Sequence, residues 1–232
     1  MRSKVLFRIS LLIIFTLLSK HLLGQQFFRV KADFSIKETM RDGKSNLTMG
    51  TVYFDKTAKR LVYQIKFPEK ETLVLTDSFY YRYKDGKIIE QKKAVNILSF
   101  SIFNLALSSK MSNFGLDGNP AFKLVDVTKE DSLIISTWRP AVEKLKELTG
   151  DVLISQKKKQ LFGLVFFDKD GKLLSKQFYE EYKNFKGLEF PGIITQINFL
   201  DGKEFYKITT FKNVVVNDMN ENNIYNYSIP VQ

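Results

Sequence analysis

Side chains that carry acid–base or metal chemistry are scarce in this sequence. The chain has no cysteine and one histidine, His21, which lies beside an apolar N-terminal run. The rest of the chain therefore cannot form the Ser-His or Cys-His pairs of nucleophilic catalysis. It also lacks the usual zinc ligands. We accordingly expect no metal and no cofactor.

Carboxylates are the remaining candidates for catalysis, as in glycosidases that use two of them. Glu180 and Glu181 are adjacent, but neighbours on a strand point to opposite faces, so they would not form one acid–base pair. Residues 168–171, Asp-Lys-Asp-Gly, resemble the start of a calcium loop, yet Tyr179 stands where the last acidic ligand should be. We interpret them as a charged hairpin turn and predict that the protein is not an enzyme.

The N-terminus has the pattern of a secretory signal. A basic start precedes the uncharged run Leu11 to Leu18, and the small residue Gly24 follows. The run is shorter than the roughly 20 apolar residues that span a bilayer. The sequence therefore predicts removal of residues 1–24 and a mature single domain over residues 25–232. An uncut N-terminal anchor is the alternative.

The net charge and the expected export of the protein exclude further classes of function. Without cysteine the mature chain can be neither acylated at the signal cleavage site nor cross-linked by disulfides, so we expect a free periplasmic protein. The net charge is +11, and most of the excess is lysine. Export argues against a nucleic-acid partner. The run Lys157-Lys158-Lys159 is interpreted as a solvated hairpin tip, with a lipid headgroup or protein contact as the alternative.

Most of the remaining sequence predicts antiparallel strands. Apolar and polar residues alternate with period two, and Asp-Gly pairs, a strong hairpin signal, separate many of the runs. The predicted strands cover residues 30–40, 47–55, 60–67, 71–76, 79–84, 87–92, 121–127, 131–137, 151–156, 160–168, 173–182, 191–199 and 203–212. Consecutive hairpins of this kind predict one large, curved antiparallel sheet with few helices, an α+β fold that is mostly β.

Aromatic content is high, with 21 Phe and 10 Tyr. A wide sheet with an aromatic face can bury that face only by curling, and a curled sheet with an apolar inner side forms a container for an apolar ligand. We expect two strands to share this side. The predicted cavity residues on them are Leu61, Tyr63, Ile65, Phe67, Phe79, Tyr81 and Tyr83.

Two segments break the strand pattern. Residues 94–107 are apolar nearly all round and predict a buried helix that lies on the concave face as a lid. Its predicted cavity contacts are Phe100, Ile102, Phe103 and Leu105. Residues 140–149 predict a second helix, with Pro140 in its first turn and Gly150 after its end.

The stretch from Gly50 to Gly86 resembles the periplasmic carriers of outer-membrane lipoproteins, the LolA-like family. A glycine-led strand, Gly50-Thr-Val-Tyr-Phe, precedes the aromatic strand Leu61-Val-Tyr-Gln-Ile. Pro68 and the strand ending in Tyr80-Tyr-Arg-Tyr83 follow. Phe166 to Gly171 and Gly187 to Pro191 are also similar to that superfamily.

The resemblance implies an unclosed β-barrel whose concave apolar face holds acyl chains under capping helices. It implies lipid or lipoprotein acyl chains as ligands, transport toward the outer membrane, and lipoprotein machinery of the two membranes as possible partners. Carriers of this family place Arg-Pro after the glycine-led strand, where the Arg controls lid opening. This sequence has Lys56 and Arg60 in that region, which are the candidate lid-control residues. The alternative function is an envelope sensor or scaffold that binds a protein partner with the same fold.

Overall fold

The computed structural model describes residues 26–40, 42–94, 97–200 and 202–229. The predicted signal, residues 1–24, lies outside these ranges. The strands of the described chain are β1 (Arg29–Thr39), β2 (Ser45–Asp55), β3 (Arg60–Phe67), β4 (Glu71–Leu75), β5 (Phe79–Lys84), β6 (Lys87–Lys93), β7 (Phe122–Glu130), β8 (Leu133–Pro140), β9 (Val152–Lys157), β10 (Gln160–Phe167), β11 (Leu173–Glu180), β12 (Lys183–Phe185), β13 (Leu188–Phe190), β14 (Ile193–Leu200) and β15 (Lys203–Val216).

Thirteen of these strands form one antiparallel sheet. Its order is β6-β5-β4-β3-β2-β1-β15-β14-β11-β10-β9-β8-β7. The edge strands β6 and β7 are not paired with each other, so the sheet is an open β-barrel. The predicted fold class is confirmed, and each predicted strand corresponds to a strand of this sheet. The short hairpin β12–β13 was not predicted.

Asp-Gly turns connect several neighbouring strands. Gly43, Gly86 and Gly171 have φ values of 81°, 74° and 79°, a left-handed conformation that glycine adopts without strain. Gly50 has a different role, because a Cβ there would lie 2.0 Å from the Gln64 carbonyl oxygen. Only glycine therefore permits the close approach of β2 and β3, beside the register shift between Met49 and Gly50.

The helical segments are short. A 3₁₀-helix covers Leu98–Phe100, α1 covers Ile102–Leu107, α2 covers Glu143–Lys146 and α3 covers Asn222–Tyr225. The single helix predicted over residues 94–107 is thus two helices. Ser101 is extended at the break, and its side chain caps α1 by accepting the Asn104 N–H at 3.2 Å.

The helix predicted over residues 140–149 is also corrected. Pro140 ends β8, and only one helical turn, α2, follows. The apolar stripe that favoured a longer helix is not buried, since Val142 and Leu148 are exposed. An apolar stripe that packs against no other part of the protein does not stabilise a longer helix.

The two faces of the sheet carry different elements. The inner face is the one covered by α1 and the hairpin β12–β13, where Phe34, Phe54, Phe103, Phe190 and Phe211 share one buried cluster. It continues under β8–β11 as a second cluster, filled by Met111, Phe114 and Leu116 from the loop before β7. The outer face carries a third cluster, in which the C-terminal segment, residues 218–229, covers β2 to β5.

Candidate functional site

A cavity of about 650 Å³ opens on the inner face, in the half of the sheet formed by β1–β5 and β15. Ligand pockets usually have volumes of about 300–1,000 Å³, so this cavity is large enough for one small-molecule ligand. Its lining consists of Phe34, Ile36, Glu38, Thr48, Tyr63, Ile65, Pro68, Glu69, Glu71, Leu73, Tyr80, Arg82 and Lys207.

Cross-strand pairing explains why these side chains meet. Residues directly opposite in an antiparallel ladder point to the same face. Tyr63 pairs with Leu73, and Leu73 pairs with Arg82, so one row crosses β3, β4 and β5. In the same way Ile36 pairs with Thr48 on β2.

The floor of the cavity is apolar and aromatic. Tyr63 packs edge-on against Phe34, with ring centroids 5.1 Å apart, and Ile36 and Ile65 pack beside them. Burial raises the pKa of the Tyr63 hydroxyl to about 12, so the ring is neutral at all physiological pH values. The floor offers dispersion contacts and no fixed charge.

The rim of the cavity is charged but balanced. Arg82 donates to both carboxylate oxygens of Glu71, at 2.8 and 2.9 Å, and this holds the pKa of Glu71 below its usual value. Lys207 and Glu38 lie 3.4 Å apart on the opposite wall. The entrance thus combines paired charges with an apolar interior, an arrangement suited to an amphiphile.

The sequence predicted cavity residues on β3, on β5 and in the lid segment, and of these only Tyr63 and Ile65 line the cavity. Leu61 is buried in the cluster beneath α1. Their role in ligand binding remains a prediction.

The expectation that β5 presents Phe79, Tyr81 and Tyr83 to the same side is wrong. Tyr81 pairs with Val74, which pairs with Val62, and all three lie in the outer cluster. Phe79 and Tyr83 share the face of Tyr81, whose ring lies 5.9 and 6.4 Å from theirs.

Tyr80 and Arg82 line the cavity in place of the predicted residues of β5. Period two identifies alternate residues on a strand, but it does not say which set faces inward. Phe67 is also outside the site, since it is 45% exposed and does not line the cavity.

The predicted lid segment does lie on the inner face. Phe103 is fully buried and contacts Phe190, Phe211 and Phe54, with ring centroids 5.5, 5.5 and 6.2 Å away. Leu105 is buried, and Ile102 packs against both inner clusters. Val95 and Asn96 lie outside the described residues.

Phe100 differs from the other lid residues. It stacks on Phe114, with ring centroids 5.9 Å apart, and is 37% exposed. The predicted lid segment thus packs on the inner cluster through Phe103, while Phe100 contacts the loop before β7.

The two candidate lid-control residues lie on different faces. Lys56 Nζ donates to the carbonyl oxygen of Leu107, the last residue of α1, at 3.3 Å. Arg60 instead donates to the carbonyl oxygen of Tyr227 on the outer face, at 2.7 Å. Only Lys56 contacts the helix that would act as a lid.

The remaining candidates for metal binding and catalysis are the turn at residues 168–171 and the pair Glu180 and Glu181. Asp168 accepts the backbone N–H groups of Asp170 and Lys172, at 2.9 and 2.8 Å, as expected for a hairpin turn. Glu180 ends β11, and Glu181 follows with a positive φ of 53°. Both are exposed, and they line a surface pocket together with Lys157 and Lys158. In the described residues no group of acidic or histidine side chains could hold a metal ion. No described helix has the length and apolarity to cross a bilayer.

The outer-face site was missed by sequence reasoning. Arg29 and Asp55 are both buried and joined at 2.6 Å, and the Arg29 guanidinium lies 4.5 Å from the centre of the Tyr225 ring. Lys31 pairs with Glu221 at 2.5 Å. The aromatic residues near the C-terminus were the available signal, because an exposed tail rarely carries them.

Comparison with known proteins agrees with this geometry. A LolA superfamily protein from Nitrosomonas europaea superposes with a TM-score of 0.58 at 14% identity, over 87% of this chain and 91% of that one. A putative outer membrane lipoprotein-sorting protein domain from Vibrio parahaemolyticus gives 0.60 at 10% identity, over 86% and 90%.

A DUF1329 family protein from Desulfovibrio piger gives 0.59 at 12% identity, over 87% and 90%. No protein-family model and no curated protein sequence matches the chain. The chain therefore has the LolA-like fold, as the resemblance in its sequence predicted. Its sequence is only distantly similar to those of the three superposed structures.

Proposed function

We propose that the protein is an exported periplasmic carrier, not an enzyme, that holds acyl chains of lipoproteins or other lipids and transports them toward the outer membrane. The cavity on the inner face is the observation that carries this proposal. Its floor of Phe34, Ile36, Tyr63 and Ile65 would gain about 0.8 kcal/mol for each CH₂ group that an acyl chain buries there.

The fold gives a second, weaker support. One structural neighbour is named as an outer membrane lipoprotein-sorting domain, and its open barrel superposes on most of this chain. The two inner clusters also show that α1 and the following loop fill part of the groove and leave the cavity beside them. In the alternative function, a sensor or scaffold, the protein would bind a partner and carry no lipid.

A cavity-filling substitution tests the proposal directly. Leu73→Trp places a large ring on the cavity wall, whereas Thr72→Trp changes the neighbouring residue, which pairs with Tyr83 on the outer face. We expect Leu73→Trp to weaken binding of a fluorescent fatty acid by at least about tenfold, or about 1.4 kcal/mol. Thr72→Trp should leave it unchanged.

Mass spectrometry of lipid extracted from natively purified protein is the complementary measurement. Co-purified acyl lipid that is lost in Leu73→Trp supports a carrier. Protein that neither co-purifies with lipid nor binds the probe would instead favour the sensor or scaffold.

The proposal also requires export. Intact mass of the protein from the envelope fraction should correspond to a chain that starts at Gln25 without an acyl modification. A retained N-terminus, or a mass increment of an acyl group, would contradict the free periplasmic form.

A further inference from the structure

A polar row crosses the inner face beside the cavity. Glu38 on β1 pairs with Lys207 on β15, Lys207 pairs with Gln196 on β14, and Gln196 pairs with Gln177 on β11. Directly opposite side chains on one face have Cβ atoms about 4.5–5.5 Å apart. The four residues are therefore one continuous row over four neighbouring strands.

The residues around the row show that it faces inward. Tyr179, two residues after Gln177, is buried in the inner cluster, and its hydroxyl donates to Gln177 Oε1 at 2.8 Å. Phe34 and Phe211 lie on the same face of β1 and β15 as Glu38 and Lys207, and they pair with each other in the other inner cluster. All four members are half-buried, as expected for the wall of a groove.

The row begins at the cavity and leads away from its apolar floor. Glu38 and Lys207 line the cavity together with Ile36 and Tyr63. At the other end of the row Gln177 pairs with Leu164, which belongs to the second inner cluster. A groove that served apolar chains alone would gain nothing from amides and charges on its wall, since their desolvation costs free energy.

The charges of the row are balanced and weakly held. Lys207 and Glu38 are separated by 3.4 Å, and their side chains are 39% and 45% exposed. Ion pairs of this exposure contribute little to stability, so each partner can exchange the other for a ligand group at small cost. The glutamine amides of the row both donate and accept hydrogen bonds and suit either sign of charge.

We infer that this row seats the headgroup of a zwitterionic lipid of the phosphoethanolamine type. Its phosphate lies against Lys207, its ammonium lies against Glu38, and its acyl chain enters the cavity. The inference rests on the proposed carrier function and adds the class of headgroup. A purely anionic headgroup would pair with Lys207 but leave Glu38 beside it with the same sign of charge.

Three single-chain lipids with the same acyl chain test the inference on the whole mature protein. They are lysophosphatidylethanolamine, lysophosphatidylglycerol and a monoacylglycerol, each titrated below its micelle concentration. We expect the first to bind about tenfold more tightly than the other two, a difference of about 1.4 kcal/mol.

Variants then identify the row as the cause. Lys207→Gln and Glu38→Gln should each abolish the preference for lysophosphatidylethanolamine. Lys212→Gln is the matched control, since Lys212 lies on the same strand but pairs with Asp33 on the outer face. It should keep the preference.

The outcomes separate the two proposals. If all three lipids bind equally, or if the preference survives in both row variants, the headgroup inference is wrong and the carrier function stands. A preference for lysophosphatidylglycerol that Lys207→Gln removes would also overturn it, in favour of an anionic headgroup. If none of the lipids binds, the carrier proposal itself fails.

Discussion

The two faces of strands β2–β5 are built from the same residue types, but one face is covered by the chain and the other is open. On the outer face, Val62, Val74 and Tyr83 are buried beneath the C-terminal segment, whose Tyr225 is fully buried. On the inner face, Tyr63, Ile65 and Leu73 line an open cavity. Aromatic residues on a strand therefore do not by themselves indicate a ligand site, because the chain can cover one face with its own end.

The covered face also contains a buried ion pair, whereas the ion pairs at the rim of the cavity are partly exposed. Arg29, buried at the start of β1, donates to Asp55 and to Asn222 Oδ1 on α3, at 2.6 and 2.5 Å. Arg60 holds the Tyr227 carbonyl oxygen further along the same segment. We expect the outer face to determine stability and the inner face to determine binding.

Breaking the buried ion pair should have the largest effect. Asp55→Ala leaves the Arg29 guanidinium buried without its carboxylate, which costs about 3–5 kcal/mol of the free energy of unfolding. Asp77→Ala removes an exposed pair with Lys59 and should cost less than about 1 kcal/mol. Urea denaturation of both variants measures the difference. Equal losses in the free energy of unfolding would show that the buried ion pair does not stabilise the outer face.

A pair of neighbouring truncations compares the faces directly. Val74→Ala removes a fully buried outer side chain and should destabilise the protein by about 1.5–3 kcal/mol. Leu73→Ala removes a larger side chain from the cavity wall, where part of it already contacts water, and should cost less. If Leu73→Ala cost more in urea denaturation, the inner face would be as important to stability as the outer one.

The contact between Lys56 and α1 tests whether the lid moves. Lys56→Met removes a hydrogen bond worth about 0.5–1.5 kcal/mol from the end of α1, and uptake of a fluorescent fatty acid should accelerate roughly two- to tenfold. Arg60→Met removes a contact on the outer face and serves as the control. Stopped-flow uptake at the same rate in wild type and Lys56→Met would indicate that α1 is a fixed core helix.

A cross-link that tethers the lid needs a partner on the inner face. Phe103 and Tyr81, which the sequence placed on one side, lie on opposite faces and cannot be joined without breaking the sheet. Phe190 is a suitable neighbour, since its ring stacks on that of Phe103.

The smallest expected effect concerns acid stability at the rim of the cavity. The Arg82 guanidinium holds the pKa of Glu71 below its ordinary value of 4.5, so the folded state favours the ionised carboxylate. The stabilisation is present above that pH and is lost as the pH falls through the lower folded-state pKa. Glu71→Gln should therefore lower the urea midpoint at pH 7, and the difference from wild type should narrow toward pH 3. A pH-independent difference would contradict this assignment.

The sequence alone predicted the local architecture well. Period-two alternation located every strand of the main sheet, and Asp-Gly pairs located turns such as those at Gly86 and Gly171. Both signals depend on residues close in sequence, so no distant contact is needed to interpret them. The short hairpin β12–β13 was missed because three-residue strands carry too little alternation to detect.

Only the tertiary structure decided which face each strand turns inward. That choice depends on how many residues each turn and bulge contains, such as the register shift between Arg82 and Tyr83, and one residue reverses the whole strand. It also depends on the C-terminal segment, which contacts β2 and β3 across more than 150 positions of sequence. The sequence by itself determined that a curved aromatic sheet would form. The long-range contacts determined that Tyr63 faces a cavity while Tyr81 faces the C-terminal segment.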